Sequence, residues 1–436
     1  MIYQQSCETM PRDELEQLQI ERLQMTLNRV YRNVAFYRKG FDAAGVDIGK
    51  IRSVGDLKEL PFTTKEDLHA SYPYDMFAVP LKDIVRIHSS SGTTGRPIVV
   101  GYTKNDIQHW SALTARVLTA AGITEHDFVQ IAFEYSLFTG GLGFHYGAER
   151  IGASVIPSSA SGNIQKQLYI MKDYKTSALL STPSFAITIA SNLREMGIHP
   201  ESLNLRVGIF GAEPWSDAIR ARIEDELRLD AYDSYGLSEI MGPGVSGECA
   251  HKCGLHVNED HFIVEVIDPA TGAPLGYGAE GELVFTTITK EGVPLIRYRT
   301  GDLGTLTGGT CECGRTFARM SRVSRRIDDM IIVRGVKIVP RQIEEILLRV
   351  EGARPNYQAI VRAENGEDVL EIKIEISEGI FNDELKKMLE LKNKIARSFE
   401  ADLGIAPHIT LVEQDSLRSA GGGKVNRIVD MRSGRV

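Results

Sequence analysis

The sequence predicts an α/β protein with a large N-terminal domain of helix-flanked sheets, a small β subdomain, and a small α+β C-terminal domain. Three observations support this. The 436 residues are enough for two or three domains at roughly 100 to 200 residues each. To about residue 240, short apolar runs alternate with helical stretches, the rhythm of a largely parallel sheet. Beyond 260 the texture changes to paired strands, and past 330 to a compact mixture of helix and strand.

Ile20, Leu23, Leu27 and Val30 recur at helical spacing, so the first forty residues are expected to form an amphipathic helix docked on a core. "IVRIH" and "PIVVGYT" look like strands on either side of a polar loop, which predicts a hairpin. "FVQIAF", "ASVIP", "SALLST" and "LRVGIFG" each precede polar or helical sequence and supply the parallel strands. "HFIVEVID", the turn-rich "PATGAPLGYGAEG" and "ELVFTT" predict an antiparallel pair, the centre of a β subdomain at about 245–325. Near the C-terminus, "RQIEEILLRV" starts a helix after Pro340. Leu370, Ile372, Ile374 and Ile376 alternate as in a strand, and a helix from about Asn382 to Leu403 stops at Gly404.

Composition excludes several classes of protein. With 50 basic and 58 acidic residues, a net charge of -8, nothing suggests a nucleic-acid partner. The N-terminal stretch lacks the charged-then-apolar pattern of a secretion signal. No run approaches the ~20 apolar residues of a membrane span. A soluble cytoplasmic protein without membrane partners is expected. Five cysteines, one of them the isolated Cys7, are too few and too unevenly placed for a disulfide framework.

The loop between the first two strands, "SSSGTTGRP", holds seven consecutive Ser, Gly or Thr residues before Arg96 and Pro97. Glycine brings the backbone close to a ligand, and hydroxyls add donors, so such a loop can wrap an anion. It lacks the order of a Walker A loop. Composition alone fits a flexible surface loop equally well.

The full string is more specific. "SSGTTGRP" followed by "YTKND" resembles the phosphate-binding signature of the adenylate-forming ligase superfamily, with Arg96 where Lys is usual. "GAEPW" (211–215), "YDSYGLSE" (232–239), "YRTGD" (298–302), "RRIDDMIIVRGVKIVP" (325–340) and "GGGKVNR" (421–427) continue the superfamily's motif order. "YSLFTGGLGFHYGAERIGASVIP" and "STPSF" resemble the phenylacetate-CoA ligase subfamily, over nearly the whole chain.

The resemblance implies an acid-thiol ligase that uses ATP, Mg²⁺ and coenzyme A to turn a small carboxylic acid, through an acyl-adenylate, into an aryl-CoA thioester, phenylacetyl-CoA or a close relative. Ser90, Ser91, Gly92, Thr93, Thr94, Gly95 and Arg96 would hold the β- and γ-phosphates. Glu239 would help bind Mg²⁺, a hard ion suited to a carboxylate bridging phosphates; as a residue alone it is equally a helix N-terminal acid. Glu213 and Pro214 would lie against the adenine, with Asp233, Ser234 and Tyr235 beside them and Tyr235 stacked on the base. Asp302 would accept the ribose hydroxyls. Arg326 matches the family arginine, and Arg325 departs from a usual glycine. Asp328 would be the hinge between domains 1–327 and 328–436; taken alone it is an acidic residue in a loop. Lys424, on a glycine-rich arm, would reach the acyl and α-phosphate oxygens and then leave. Gly335 would let pantetheine pass.

The same resemblance places an acyl pocket between Tyr135, Phe138, Gly140 and Gly141 on one side and Ala212, Tyr235, Gly236, Ile240 and Met241 on the other. Its apolar and aromatic lining suits an aryl or arylacetic acid. Glu134 either points away from it or favours a polar substituent.

"ECAHKCGLH" and "CECGR" add two cysteine clusters, although C-x₃-C and C-x-C are not the usual zinc spacing. On the subfamily resemblance Cys249, His256, Cys311 and Cys313 would hold a structural zinc, with Cys253 and His251 as reserve ligands; reduced thiols without metal are the alternative. The family also implies a homodimer. Two rival functions remain: an adenylyltransferase of the coenzyme F390 synthetase type that does not use CoA, and a non-catalytic nucleotide-binding regulator.

Overall fold

The structure is a computed structural model. It describes residues 1–90, 97–159, 164–323, 325–327, 331–333, 336–350, 352–353, 356–364, 367–376, 385–413, 416–417 and 427–432. Two compact units emerge: one carries the residues through 323 except 214–221, and the other carries those eight together with 325 onward.

In the first unit the N-terminal forty residues form three helices: α1 (Gln5–Glu8), α2 (Arg12–Asn33) and α3 (Ala35–Ala43). The single amphipathic helix expected from the apolar spacing is therefore broken. Val34 takes an extended conformation (φ -114°, ψ 108°) between α2 and α3, which turns Tyr37 and Phe41 onto the same core as Leu23, Leu27 and Val30.

After α4 (Lys65–Ala70) come β1 (Arg86–Ser89) and β2 (Val99–Tyr102). They pair antiparallel, with Arg86 opposite Tyr102 and Ser89 opposite Val99, as the flanks of the glycine-hydroxyl loop predict. Next is α5 (Lys104–Ala120), which starts at a capping box of Thr103 and Asp106.

Then β3 (Phe128–Ile131), α6 (Gly140–Arg150), β4 (Ser154–Ile156), α7 (Ile164–Asp173) and β5 (Ala178–Ser181) alternate. They are followed by α8 (Pro183–Glu195), β6 (Val207–Gly211), α9 (Asp217–Leu227) and β7 (Asp230–Tyr235). The strands run parallel in the order β4-β3-β5-β6-β7. Every residue of β5 and β6 is buried, as expected for strands covered on both faces.

The same sheet continues antiparallel through β8 (Ser246–Glu248), β9 (Leu255–Val257), β14 (Arg319–Met320) and β13 (Leu306–Thr307). Residues assigned from sequence to the small β subdomain thus belong partly to the large sheet. What stands apart is the antiparallel run of β10 (Phe262–Ile267), β11 (Gly281–Thr287) and β12 (Tyr298–Gly304).

The second unit contains the short β15 (Arg325–Arg326) and a hairpin of β16 (Ile331–Val333) and β17 (Val336–Ile338). It also has α10 (Pro340–Arg349), β18 (Tyr357–Glu364), β19 (Glu367–Glu375), α11 (Leu385–Leu403), β20 (His408–Val412) and β21 (Ile428–Asp430). The β18–β19 hairpin is flanked by parallel partners in the order β20-β19-β18-β21. Its alternating Leu370, Ile372 and Ile374 pack with Ile343 and Leu347 of α10 and Ile395 and Phe399 of α11. Gly404 ends α11 at φ 68°, the left-handed stop its sequence predicts.

Candidate active site

In a parallel sheet the strand carboxyl ends face the crevice where ligands bind. Here β6 ends at Gly211 and leads into Ala212 and Glu213, while β7 ends at Tyr235 and leads into residues 236–242. Two of the sequence-predicted motifs therefore meet at one edge. Ala212 is exposed and sits at φ 67°, a left-handed conformation that costs a non-glycine residue about 1 kcal/mol. Glu213 turns back to the β5 end, where its Oε1 accepts from the Ser184 N–H at 3.0 Å and the Ser184 hydroxyl at 2.5 Å. This negative charge lies at the start of α8. Pro214 follows, at the head of the second group of residues.

On β7, the Asp233 N–H donates to Glu248 at 2.8 Å. The buried Ser234 hydroxyl has no hydrogen-bond partner among the described residues. Tyr235 stacks on Phe285 with ring centroids 5.8 Å apart and donates its hydroxyl to Asp302 Oδ2 at 2.8 Å. That bond joins the "YDSYGLSE" and "YRTGD" motifs, 67 residues apart. The Asp302 backbone is set in turn by its N–H bond to Thr300 Oγ1 at 3.0 Å.

Glu239 is 8% exposed. It borders a small cavity with Ile98, Val99, Val100, Val293 and Leu295. Glu239 thus lies beside the strand that leaves the glycine-hydroxyl loop, in largely apolar company. Among the described residues nothing hydrogen-bonds its carboxylate.

Residues 237–243 form a tight turn. The N–H groups of Ile240, Met241 and Gly242 all donate to Leu237 O. Tyr102 donates to Met241 O at 2.9 Å and Ser238 O at 3.4 Å. Lys290 donates to Glu239 O at 3.0 Å and Ile240 O at 2.8 Å, and Trp110 donates its indole N–H to Pro243 O at 2.8 Å. Tyr102 and Trp110 stack at 5.0 Å. Burial pulls the Lys290 pKa down to about 7, against the attraction of Asp106 and Glu239. Sequence reasoning missed these three residues. The signal was a lone lysine in "TTITKEG", a segment otherwise destined for the core.

The two stretches assigned to the acyl pocket come together at Thr139 and Ser238, whose hydroxyl oxygens are 2.9 Å apart. Tyr135 is half-buried and hydrogen-bonded to His145 Nδ1 at 3.2 Å. Burial raises its pKa. Phe138 lies against Gly140, where an added Cβ would meet its ring at 2.7 Å; at Gly141 one would meet the Glu134 carbonyl at 2.6 Å. Ile240 and Met241 are fully buried in the main core. At the start of the loop, the Ser90 N–H donates to Ile98 O and its hydroxyl accepts from Ile98 N–H at 3.2 Å.

Several expected site residues lie outside the described residues: Ser91, Gly92, Thr93, Thr94, Gly95, Arg96, Asp328, Gly335 and Lys424. Arg326 is described, on β15 in the second unit.

The four residues Cys249, His256, Cys311 and Cys313 do converge, their ligand atoms all within 4.8 Å of one another. Cys249 follows β8, His256 is on β9, and the two remaining cysteines come from the 311–315 loop. Cys313 Sγ is 3.5 Å from His256 Nε2. Arg315, itself paired with Glu8, donates to Cys313 Sγ at 3.5 Å. Cys253 is exposed and 3.4 Å from Cys311, while His251 pairs with Glu312 at 3.2 Å. Among the described residues no helix is long and apolar enough to cross a membrane.

Residues 17–289 match the model of the AMP-binding enzyme family, and residues 335–432 match the AMP-binding enzyme C-terminal domain. The phenylacetate-coenzyme A ligase of Thermus thermophilus is 44% identical over 99% of this chain and 100% of its own. That of Escherichia coli is 45% identical over 98% and 97%. Among solved structures, a 2-hydroxyisobutyryl-CoA ligase in the postadenylation state superposes with a TM-score of 0.86 at 27% identity, covering 98% of this chain and 92% of that one.

Proposed function

The chain belongs to the AMP-binding enzyme family, and from that premise we propose that the acid it activates is phenylacetate or a close arylacetic relative. The protein is an ATP-dependent, AMP-forming acid-CoA ligase that makes an aryl-CoA thioester through an acyl-adenylate. The observation that carries the site assignment is the Tyr235–Asp302 hydrogen bond at the carboxyl end of β7. It puts the base-stacking candidate and the ribose acceptor side by side. In this reading Tyr235 and Glu213 flank the adenine and Asp302 takes the ribose hydroxyls. Ser90 to Arg96 hold the β- and γ-phosphates. Asp328 is the hinge at which the C-terminal domain exchanges Lys424 for the surface that receives CoA.

Glu239 would hold Mg²⁺, supported by its place beside Ile98–Val100, where the chain leaves the glycine-hydroxyl loop. Bound there, the ion would neutralise charge on the phosphate oxygens. The residues at the acyl wall exclude water and orient the acid, and the nucleotide loop holds the leaving pyrophosphate. The reading is tested by CoA-dependent AMP release across aromatic, arylacetic and short aliphatic acids. Arylacetic acids should give the highest kcat/KM; turnover confined to aliphatic acids would refute the aromatic assignment. AMP transfer unchanged by CoA would instead favour an adenylyltransferase.

Cys249, His256, Cys311 and Cys313 would hold a zinc ion in a closed, four-ligand site. Its chemistry there is structural, because no coordination position stays open. The support is their convergence within 4.8 Å. The Cys311→Ser variant should lose a bound metal that wild type carries at one per chain. Its melting temperature should fall by on the order of 5 °C or more. Metal analysis and thermal melts check both, and a metal-free wild type with unchanged melting would refute the assignment.

A further inference from the structure

We propose that Lys290 is a positioning residue for the ligase reaction: its ammonium fixes, from behind, the turn that presents Glu239, and Tyr102 ties the same turn to the strand leaving the glycine-hydroxyl loop. The inference rests on the reading of Glu239 as the magnesium ligand. The turn satisfies three of its N–H groups on the single carbonyl of Leu237, which leaves the carbonyls of residues 238–241 to be satisfied from elsewhere. Buried carbonyls without partners are costly. Tyr102 takes Ser238 and Met241, and Lys290 takes Glu239 and Ile240.

Placing a charge in the core is expensive, and a neutral donor would satisfy two carbonyls. Lys290 is nevertheless 1% exposed, with its ammonium 4.8 Å from the centre of the Tyr102 ring. The acids facing it are Asp106 and Glu239. Asp106 is occupied by the N–H groups of Thr103, Glu291 and Gly292 at 2.7 to 2.9 Å, which also pins the backbone just after Lys290. Lys290 bonds the Glu239 carbonyl and not its carboxylate. Lys290 therefore holds the backbone of residues 239 and 240 in place while leaving the Glu239 side chain open to a cation.

The test compares wild type with Lys290→Met, Lys290→Gln, Glu239→Gln and the Lys290→Met/Glu239→Gln pair, measuring adenylation rates against free Mg²⁺ and ATP with a thermal melt of each protein. Residues that orient metal ligands typically account for about 10- to 100-fold in affinity or activity. Lys290→Met should raise the Mg²⁺ needed for half-maximal rate, and lower kcat/KM for ATP, by a factor in that range. The KM for the acid should change by less than about threefold. Lys290→Gln should recover part of the loss, and Lys290→Met should add little in the Glu239→Gln background. A folded Lys290→Met enzyme with wild-type Mg²⁺ dependence, or fully multiplicative losses in the pair, overturns the proposal and leaves the Glu239 reading intact. If Lys290→Met does not fold, Lys290→Gln carries the same titration and must show a raised Mg²⁺ requirement. If Glu239→Gln itself leaves the Mg²⁺ dependence unchanged, both readings fail.

Discussion

Replacing Lys424 with Ala is expected to slow pyrophosphate release from ATP and acid by about 10³-fold. A donor aimed at charge that develops in the transition state, once removed, costs on the order of 10²- to 10³-fold, and a full ammonium at the α-phosphate should reach the upper end. The lysine sits in "GGGKVNR" within the segment that matches the AMP-binding enzyme C-terminal domain. If it serves only the first half-reaction, the Ala variant supplied with preformed acyl-adenylate and CoA should make thioester within a few-fold of wild type. Measuring both half-reactions separates this role from damage to the domain. Equal losses in the two, or an unchanged first half-reaction, would remove the assignment.

The second large effect is expected at Gly236. A Cβ there would sit 1.8 Å from the Gly242 carbonyl oxygen and 2.6 Å from its carbon. Relief to 3.0 Å requires the turn to move by more than 1 Å, and no flexible side chain is available to give way. Displacements of about 1 Å near reacting groups cost roughly 100-fold in rate. Gly236→Ala should therefore lose at least about 100-fold in kcat/KM, and overpacking should lower the melting temperature by a few degrees. Gly276 meets nothing within 4 Å, so Gly276→Ala serves as the control and should behave as wild type. A fully active Gly236→Ala enzyme would show that the 237–243 turn need not keep its position.

The parallel strands were legible because they are buried on both faces: continuous runs such as "ALLS" and "VGIFG" have few other uses. The hairpin around the polar loop followed from its β-rich flanks. The break at Val34 was invisible because the apolar spacing continues across it, and only packing against the core decides where the chain turns. The extent of the β subdomain was misjudged for a similar reason. Strands β8 and β9 are three residues each, too short to reveal which sheet they join.

The site was legible where side chains carry distinctive chemistry. Cys249, His256, Cys311 and Cys313 were named from the subfamily resemblance of two cysteine clusters, and they converge. Tyr102, Trp110 and Lys290 did not, because they act on backbone carbonyls. Sequence shows a donor but not the peptide group it will find. Ile240 and Met241, placed at the pocket by the resemblance, are buried in the main core.

If the clamped turn is the acyl-pocket wall proposed above, it also bears on redesign of acid preference. A wall whose carbonyls are held by three core residues offers few independent positions to vary, since each exchange would disturb the grip on its neighbours. Libraries aimed at bulkier or more polar acids should instead diversify the opposite bank around Tyr135 and Phe138, where exposure is greater, and leave residues 236–243 as the fixed jaw of the vise.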